Sequence, residues 1–297
     1  MDTQTCFRFL ALFLLPILAA CGQAEGTPDP TLAPATQTTV LPSPTATATP
    51  VPAAATVNGD VISLDEFNAE LIRFQQAQEA LGKTVPIKEA EERVLNDLIA
   101  QTLLAQAAHE EGFTLTDEEV EARIEALTVD VGGQENLSTW LASHNYTRES
   151  LSSSLQKAIS AAWMRDKILA DVPESAEQVH AQQILLYNLE TAQEVQANLS
   201  AGADFSELAS AYDPVTHGEL FWFPQGYLLD QSIETIAFSL DVGEPSKIIE
   251  TEVGFHIIIV LEKDADRPLS PDALLALQEN ALSEWLEKAE KDSKIEK

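Results

Sequence analysis

Two histidines occupy matching places in the chain, each at the start of an apolar, strand-like run. His180 precedes the run 181–187 and His256 precedes the run 257–261. An imidazole donates or accepts hydrogen bonds and changes charge near neutral pH, so the unit that these two residues frame is the candidate functional unit. The other histidines lack the spacing of metal ligands, and no metal site is predicted from them: His109, His144 and His217.

Cysteine chemistry is confined to the N-terminus. The apolar stretch 9–20 is too short to span a bilayer and has the length of a signal-peptide core. It ends in Leu-Ala-Ala-Cys at 18–21, which resembles the bacterial lipobox and implies that Cys21 is lipidated once residues 1–20 are removed. A plain secretory peptide is the alternative. Because Cys6 lies in the removed segment, the exported chain keeps no thiol for a disulfide, a metal site or nucleophilic catalysis.

The charge of the chain excludes some partners. There are 48 acidic and 17 basic residues, a formal net charge of -31, and 45 % apolar residues, which is enough to build a core. Nucleic acid is not a predicted partner, because phosphate binding needs clustered Lys and Arg. Direct adsorption to anionic lipid is disfavoured for the same reason, so membrane contact is expected through the lipid anchor only. The acidity either keeps an exposed protein soluble or attracts cationic clients.

A Thr-, Pro- and Ala-rich segment follows the lipobox. It has almost no large apolar residues and cannot bury enough surface to offset the entropy of ordering. We therefore predict a lipidated, disordered tether over residues 21–56. Its prolines favour extended conformations, which would let the folded part stand up to about 100 Å from the membrane.

Helical patterns surround the unit framed by the histidines. Ser63 with Glu66 and Thr116 with Glu119 have the spacing of capping boxes. Apolar stripes predict helices after these caps and over 87–111, 151–170 and 273–289. Most of the stripes are expected to be core, including Trp163 and Trp285, although an open arrangement of such helices could leave a groove for unfolded chains.

Short motifs in the helical part resemble the N-terminal domain of SurA- and PrsA-type extracytoplasmic foldases. In order, they are Val57-Asn58-Gly59, Ile62-Ser63, Phe67, Ala107, Gly112-Phe113-Thr114 and Asp117-Glu118-Glu119-Val120. The resemblance implies a helical chaperone domain over 57–172. It also implies that a C-terminal helix within 271–297 returns to pack on that domain, so that the unit between them is an insertion.

Residues 175–265 are similar to a parvulin-type peptidyl-prolyl isomerase domain. The matching segments are 180–185, 202–209, 218–220, Phe223, Gly226, 237–238, 243–244 and 251–258. The resemblance implies a four-stranded antiparallel sheet in which the two histidine strands are neighbours, and therefore an α+β fold overall. Alternation independently places one set of side chains on a single face of the first strand: His180, Gln182, Ile184 and Leu186.

The parvulin resemblance also implies the site residues. The polar cluster would consist of His180, Asp213, Thr251 and His256, with the two histidines hydrogen-bonded to each other. The histidines either take part in the chemistry or only shape the site. The proline pocket would be formed by Leu220, Phe223, Leu228 or Leu229, Ile233 and Phe238. No cofactor is required, because rotation about an X-Pro bond breaks no bond.

Two functions remain open at this stage. The first is a membrane-anchored extracytoplasmic foldase that isomerises X-Pro bonds in newly exported proteins. The second is a holdase chaperone whose parvulin-like module is inactive and only binds, suggested by the short loop after Asp213 and by an aliphatic residue at Ile233. A solute-binding lipoprotein fits poorly, since no large alternating βαβ pattern is present.

Overall fold

The structure is a computed structural model that describes residues 52–297. The predicted signal peptide, Cys21 and residues 21–51 of the predicted tether lie outside these residues. The expectation that the tether is disordered up to residue 56 is wrong for its end, because residues 53–56 lie in the strand Ala53–Val57. The helices are α1 (Leu64–Ala80), α2 (Ile87–Glu110), α3 (Asp117–Asp130), α4 (Gln134–Ser143), α5 (Arg148–Ala170), α6 (Leu189–Ser200), α7 (Phe205–Tyr212), α8 (Gln231–Ser239) and α9 (Pro271–Asp292). The strands are β1 (Ala53–Val57), β2 (Asp60–Ser63), β3 (Ser175–Leu186), β4 (Glu219–Pro224), β5 (Ile249–Thr251), β6 (Gly254–Pro268) and β7 (Ile295–Glu296). The predicted α+β class is confirmed.

Helix starts follow the capping residues. The Ser63 hydroxyl accepts from the Glu66 N–H at 3.0 Å at the start of α1. Thr116 and Glu119 form a complete capping box at the start of α3. These local hydrogen bonds satisfy N–H groups that have no partner inside the helix, which is why the caps locate the helices correctly.

Helix α4 was not predicted. It follows two glycines and is only ten residues long, so its periodic signal is weak. Its apolar residues Leu137 and Leu141 stand four positions apart and are buried against Val120 and Ile124 of α3. Tertiary packing of this one face, rather than local propensity, therefore stabilises the helix.

A small three-stranded sheet joins the two ends of the described chain. Strands β1 and β2 form a hairpin whose turn residues Asn58 and Gly59 have φ angles of 53° and 99°. Positive φ at both central positions is the geometry of the tight hairpin turn that Asn-Gly favours. On its other side β1 pairs with β7, with Val57 opposite Ile295. A pairing of two residues between distant segments left no pattern in the sequence.

The helical body comprises α1–α5, α9 and this small sheet. Helices α2 and α5 pack along each other, and α9 packs on both of them. Leu282 of α9 is buried among side chains of α2 and α5, and Trp285 packs against the same cluster. The C-terminal helix therefore lies on helices formed more than a hundred residues earlier in the chain. Among residues 52–297, no helix combines the length and the hydropathy needed to cross a bilayer.

The central module comprises β3–β6 and α6–α8. Its sheet has the order β4-β3-β6-β5 with antiparallel pairing throughout. The predicted four-stranded antiparallel sheet, with the histidine strands β3 and β6 adjacent, is thus confirmed. Helix α8 covers one face, which we call the α8 face, and α6 and α7 cover the other. Residues 257–260 of β6 are buried from both sides, as expected of a central strand.

Candidate active site

His256 lies near the start of β6 on the α8 face, and only 3 % of its surface is exposed. Its Nδ1 is 2.9 Å from Oε1 of Gln183 on β3, and its Nε2 is 3.0 Å from Oγ1 of Thr251 on β5. An amide oxygen can only accept, so Nδ1 carries a proton. The Thr251 hydroxyl lies within hydrogen-bond distance of both Nε2, at 3.0 Å, and the Gly254 carbonyl oxygen, at 3.2 Å. The neutral form of the ring is therefore the tautomer with the proton on Nδ1.

The surroundings of His256 keep it neutral. Burial lowers the pKa of His256, and the negative charge of Asp230 opposes this effect in part. Asp230 is the N-cap of α8 and accepts from the N–H groups of Ser232 at 2.9 Å and Ile233 at 3.3 Å. Hydrogen bonds from Ser232 lower the pKa of Asp230, so this carboxylate is the charged neighbour of the imidazole. Sequence analysis did not single it out.

The predicted hydrogen bond between His180 and His256 is wrong. In the register of β3 and β6, His256 stands opposite Leu185, whereas His180 stands opposite Glu262. Five residues along a strand correspond to about 16 Å. His180 also points to the opposite face of the sheet, where its Nε2 is 2.6 Å from Oε1 of Glu219 and its ring stacks on Trp222.

Gln183 takes the place expected of the second histidine. Alternation along β3 puts Val179, Ala181 and Gln183 on the α8 face with His256, and puts His180 on the other face. The sequence therefore grouped His180 correctly with Gln182, Ile184 and Leu186. The expected hydrogen bond would have required His180 and His256 to lie on the same face. Applying the same alternation to His256 could have identified Gln183.

Asp213 does not join this cluster. Its carboxylate closes its own turn, accepting from the N–H groups of Val215 at 3.1 Å and Thr216 at 3.0 Å and from the Thr216 hydroxyl. These bonds, above all that of the Thr216 side chain, lower the pKa of Asp213 to about 2. The expectation that Asp213 belongs to the polar cluster is corrected, because the acidic residue that acts on His256 is Asp230.

An apolar cluster lies beside His256 on the α8 face. Ile249, which pairs with His256 across β5 and β6, belongs to it. Of the predicted pocket residues, it contains Leu220, Phe223, Leu228, Ile233 and Phe238. Leu229 does not belong to it and is 91 % exposed, so Leu228 rather than Leu229 is the pocket candidate.

The members of this cluster differ in access. Phe223 is fully buried, with its ring edge-on to Phe238 at 6.1 Å, and Ile233 is 7 % exposed. Phe223 and Ile233 therefore form the buried base of the cluster, which we call its floor. Leu220, Leu228 and Phe238 are only partly buried and can be reached by a ligand. The described side chains therefore offer an apolar surface of three residues over a closed floor.

Phe221 is a further residue that sequence analysis missed. It has a φ of 55° and is 68 % exposed, and its N–H donates to Oε1 of Glu219 at 3.1 Å. The pairing of β3 with β4 is irregular at this point, since Ala181 faces Phe221 while Gln182 faces Glu219. A bulky residue with positive φ is strained, and such strain is often found beside functional sites.

This arrangement suits chemistry without a covalent intermediate. Its polar part is one imidazole that contacts an amide and a hydroxyl, and its apolar part is the partly exposed set Leu220, Leu228 and Phe238. Within residues 52–297, no three histidine, cysteine or carboxylate side chains are grouped so that they could hold a metal ion. The site can desolvate a ligand and fix its orientation.

Comparison with known proteins agrees with the two-part architecture. A family model of the SurA-like N-terminal domain matches residues 41–165, and a model of the PPIC-type PPIase domain matches residues 167–264. The foldase protein PrsA of Geobacillus kaustophilus is 31 % identical over 218 residues, which is 70 % of this chain and 70 % of the relative. The PrsA of Geobacillus sp. (strain WCH70) is 28 % identical, covering 69 % of this chain and 75 % of the relative.

The crystal structure of the peptidylprolyl isomerase PrsA from Bacillus cereus is 24 % identical and aligns with a TM-score of 0.42, covering 82 % of this chain and 86 % of that one. The first of the Geobacillus relatives exceeds 30 % identity over most of both chains. The chain belongs to the PrsA family of extracytoplasmic, parvulin-type foldases, and its central module is a peptidyl-prolyl isomerase domain.

Proposed function

We propose that this protein catalyses cis-trans isomerisation of X-Pro bonds in exported proteins while anchored to the membrane through a lipid on Cys21. The observation that carries the proposal is the position of His256, which contacts Gln183 and Thr251 beside the partly exposed side chains of the apolar cluster. The clients are unfolded or newly exported proteins, and neither a cofactor nor nucleic acid takes part.

The physical task of the site is to lower a rotational barrier. The C–N bond of an X-Pro amide has partial double-bond character, which gives a barrier of about 18–20 kcal/mol. Rotation interrupts this conjugation and reduces the charge separation between oxygen and nitrogen. A site that excludes water therefore disfavours the planar amide more than the twisted one. Leu220, Leu228 and Phe238 supply the apolar contact for the proline ring.

The role of His256 follows from its fixed tautomer. Because both ring nitrogens are occupied by Gln183 and Thr251, the imidazole does not need to exchange a proton with the peptide. It acts as an oriented, uncharged dipole at the edge of the pocket. Its neutrality keeps the site weakly polar, which is what a twisted amide requires.

Isomerisation of a proline tetrapeptide by the full chain in detergent tests the proposal. We expect a rate above the thermal background, a fall of at least tenfold in kcat/KM for His256→Gln, and a change of less than twofold for the matched variant His180→Gln on the other face. No rate above background would defeat the catalytic proposal. Equal losses in both variants would place the site elsewhere.

Lipid attachment needs a separate test. Mass spectrometry of the chain from a bacterial membrane fraction should show a diacylglycerol on Cys21 and an N-terminus at that residue, and Cys21→Ser should abolish both. Recovery of the unmodified chain in the membrane fraction would contradict the anchor.

A holdase function is the second candidate, and one observation favours it. Phe223 and Ile233 are buried, so the floor of the presumed pocket is closed by its own packing. Suppressed aggregation of a proline-free client, unchanged in His256→Gln, would support binding without catalysis. Loss of this suppression in His256→Gln would argue against the holdase function.

A further inference from the structure

One buried carboxylate shapes the loop next to the apolar cluster. Glu234 of α8 is 7 % exposed. Its oxygens accept from three consecutive backbone N–H groups, those of Gly226 at 2.6 Å, Tyr227 at 3.0 Å and Leu228 at 3.0 Å. A carboxylate is suited to this position because it accepts only, and charge-assisted bonds of this kind are stronger than neutral ones.

The loop that Glu234 holds carries part of the proposed pocket. Tyr227 and Leu228 pack against the apolar cluster that contains Phe223 and Ile233. If the loop moved away, the buried Glu234 side chain would lose its hydrogen-bond donors inside the protein, which is unfavourable for a buried polar group. The loop conformation and the buried position of Glu234 therefore support each other.

The outer side of the same loop contacts the helical body. The carbonyl oxygen of Gly226 accepts from Nδ2 of Asn280 on α9 at 2.5 Å. Gly226 has a φ of 84°, and a Cβ on it would lie 3.2 Å from Asn280 Nδ2 and 3.2 Å from Leu277 Cδ2. Glycine is thus needed at this point both for the backbone conformation and for the close approach of α9.

Helix α9 is anchored in the helical body by its other contacts. Leu282 and Trp285 pack among side chains of α2 and α5, and Nε2 of Gln278 donates to the carbonyl of Leu169 at 3.3 Å. Asn280 lies at an exposed position between these anchors. Helix α9 therefore meets the pocket loop through the Asn280 hydrogen bond and the side chain of Leu277.

We propose that Glu234 and Asn280 are positioning residues of the prolyl site. Glu234 holds residues 226–228 in the shape that presents Leu228 to the ligand, and Asn280 ties this loop to the helical body. Movement of α9 relative to the central module then changes the affinity of the site for a proline peptide. The inference rests on the proposed function for its substrate, but the loop restraint itself can be measured without catalysis.

Asn280 carries the test, because its exposed position makes misfolding of a variant easy to avoid. Asn280→Asp keeps the size of the side chain and removes the donor. Gln278→Ala is the matched control, since it removes an amide hydrogen bond on the same helix that stays inside the helical body. Glu234→Gln is the second variant; its amide keeps one acceptor oxygen but replaces the other with an NH2 donor, which leaves at least one of the three backbone N–H groups without its acceptor. All are made in the full chain in detergent.

Two readouts separate a positioning role from a general loss of stability. Hydrogen exchange of the amides of residues 226–228 should accelerate at least fivefold in Asn280→Asp and more in Glu234→Gln, and less than twofold in Gln278→Ala. The KM for a proline tetrapeptide should rise about three- to tenfold in Asn280→Asp, with kcat changed less than twofold. Asn280→Gln, which retains a donor, should restore at least part of the loss.

The outcomes distinguish this inference from the proposed function. If the wild-type chain shows no isomerase activity, catalysis is refuted, and the Kd of the tetrapeptide measured by NMR replaces KM in the comparison. The inference is overturned if Asn280→Asp and Gln278→Ala give the same loop exchange and the same KM or Kd. It is also overturned if loop exchange changes while peptide affinity does not.

Discussion

Replacing Gln183 by Glu should reverse the electrostatics of His256. The substitution keeps the size of the side chain and puts a carboxylate oxygen where Oε1 now lies, 2.9 Å from Nδ1. In the wild type, burial lowers the pKa of His256 from the ordinary 6.5. An opposite charge within about 4–6 Å shifts a pKa by about 1–3 units toward the charged form. We therefore expect the pKa of His256 in Gln183→Glu to lie at least about one unit above the wild-type value, equivalent to about 1.4 kcal/mol.

NMR titration of the histidine ring signals measures this change directly. The four other histidines of the chain serve as internal references. Gln182→Glu is the matched control, because Gln182 is the neighbouring residue on the opposite face, where it contacts Ser206. It should leave the pKa of His256 unchanged to within about half a unit, since side chains on opposite faces of a strand do not approach each other. A His256 pKa that is unchanged or lower in Gln183→Glu would refute the contact on which the site is built.

The same substitution should weaken the pH dependence of stability that His256 causes. In the wild type the folded pKa of His256 lies below the unfolded value of 6.5, so unfolding takes up a proton and stability falls as the pH drops through about 6.5. In Gln183→Glu the added carboxylate favours the charged imidazole and raises the folded pKa relative to the wild type, so the loss of stability at low pH is smaller. The difference in unfolding free energy between variant and wild type should therefore favour the variant more at pH 5.5 than at pH 7.5.

Three further changes have defined expectations. In chemical denaturation, the free energy of unfolding of Phe221→Gly should exceed that of Phe221→Ala by about 0.5–1 kcal/mol. This reverses the usual order of Gly and Ala, because only Gly relieves the strain of a φ of 55°. Leu228→Ala should lower the free energy of unfolding by about 1–2 kcal/mol, whereas Leu229→Ala should stay within about 0.5 kcal/mol. Equal effects of the two would contradict the assignment of Leu228 to the cluster. Asp213→Asn should be less stable than wild type at pH 7, with the difference vanishing as the pH falls through the Asp213 pKa of about 2, because the hydrogen bonds that lower this pKa favour the ionised carboxylate. A stability difference that persists below that pH would show that the charge of Asp213 is not its cause.

Features with a local cause were predictable from the sequence. The starts of α1 and α3 depend on capping residues that are three positions apart, and the β1–β2 turn depends on the conformational freedom of Asn58-Gly59. The central sheet was predicted through resemblance, and its strand neighbours agree with the buried run of β6. Helix α4 and strand β7 were missed because each is short and is stabilised by packing or pairing with other elements, α4 with α3 and β7 with β1.

The polar cluster was predicted only in part. Thr251 does contact His256, but the other two expected members, His180 and Asp213, lie elsewhere. His180 was expected from the parvulin resemblance, but alternation groups it with Gln182, Ile184 and Leu186, on the face opposite to His256. Gln183 was not predicted because an amide does not titrate. Its oxygen nevertheless accepts a hydrogen bond from Nδ1, as an imidazole nitrogen could.

The presence of an amide beside His256 has a consequence for how the site responds to pH. Two imidazoles in contact share protons and titrate as a pair with two macroscopic steps. Gln183 has no such equilibrium, so His256 should titrate in a single step whose midpoint is governed by burial and by Asp230. Because burial lowers that midpoint, the neutral tautomer is the dominant species throughout the neutral range. A catalyst that works by desolvating and twisting an amide gains from this, since it keeps the same uncharged surface while the pH outside the cell changes.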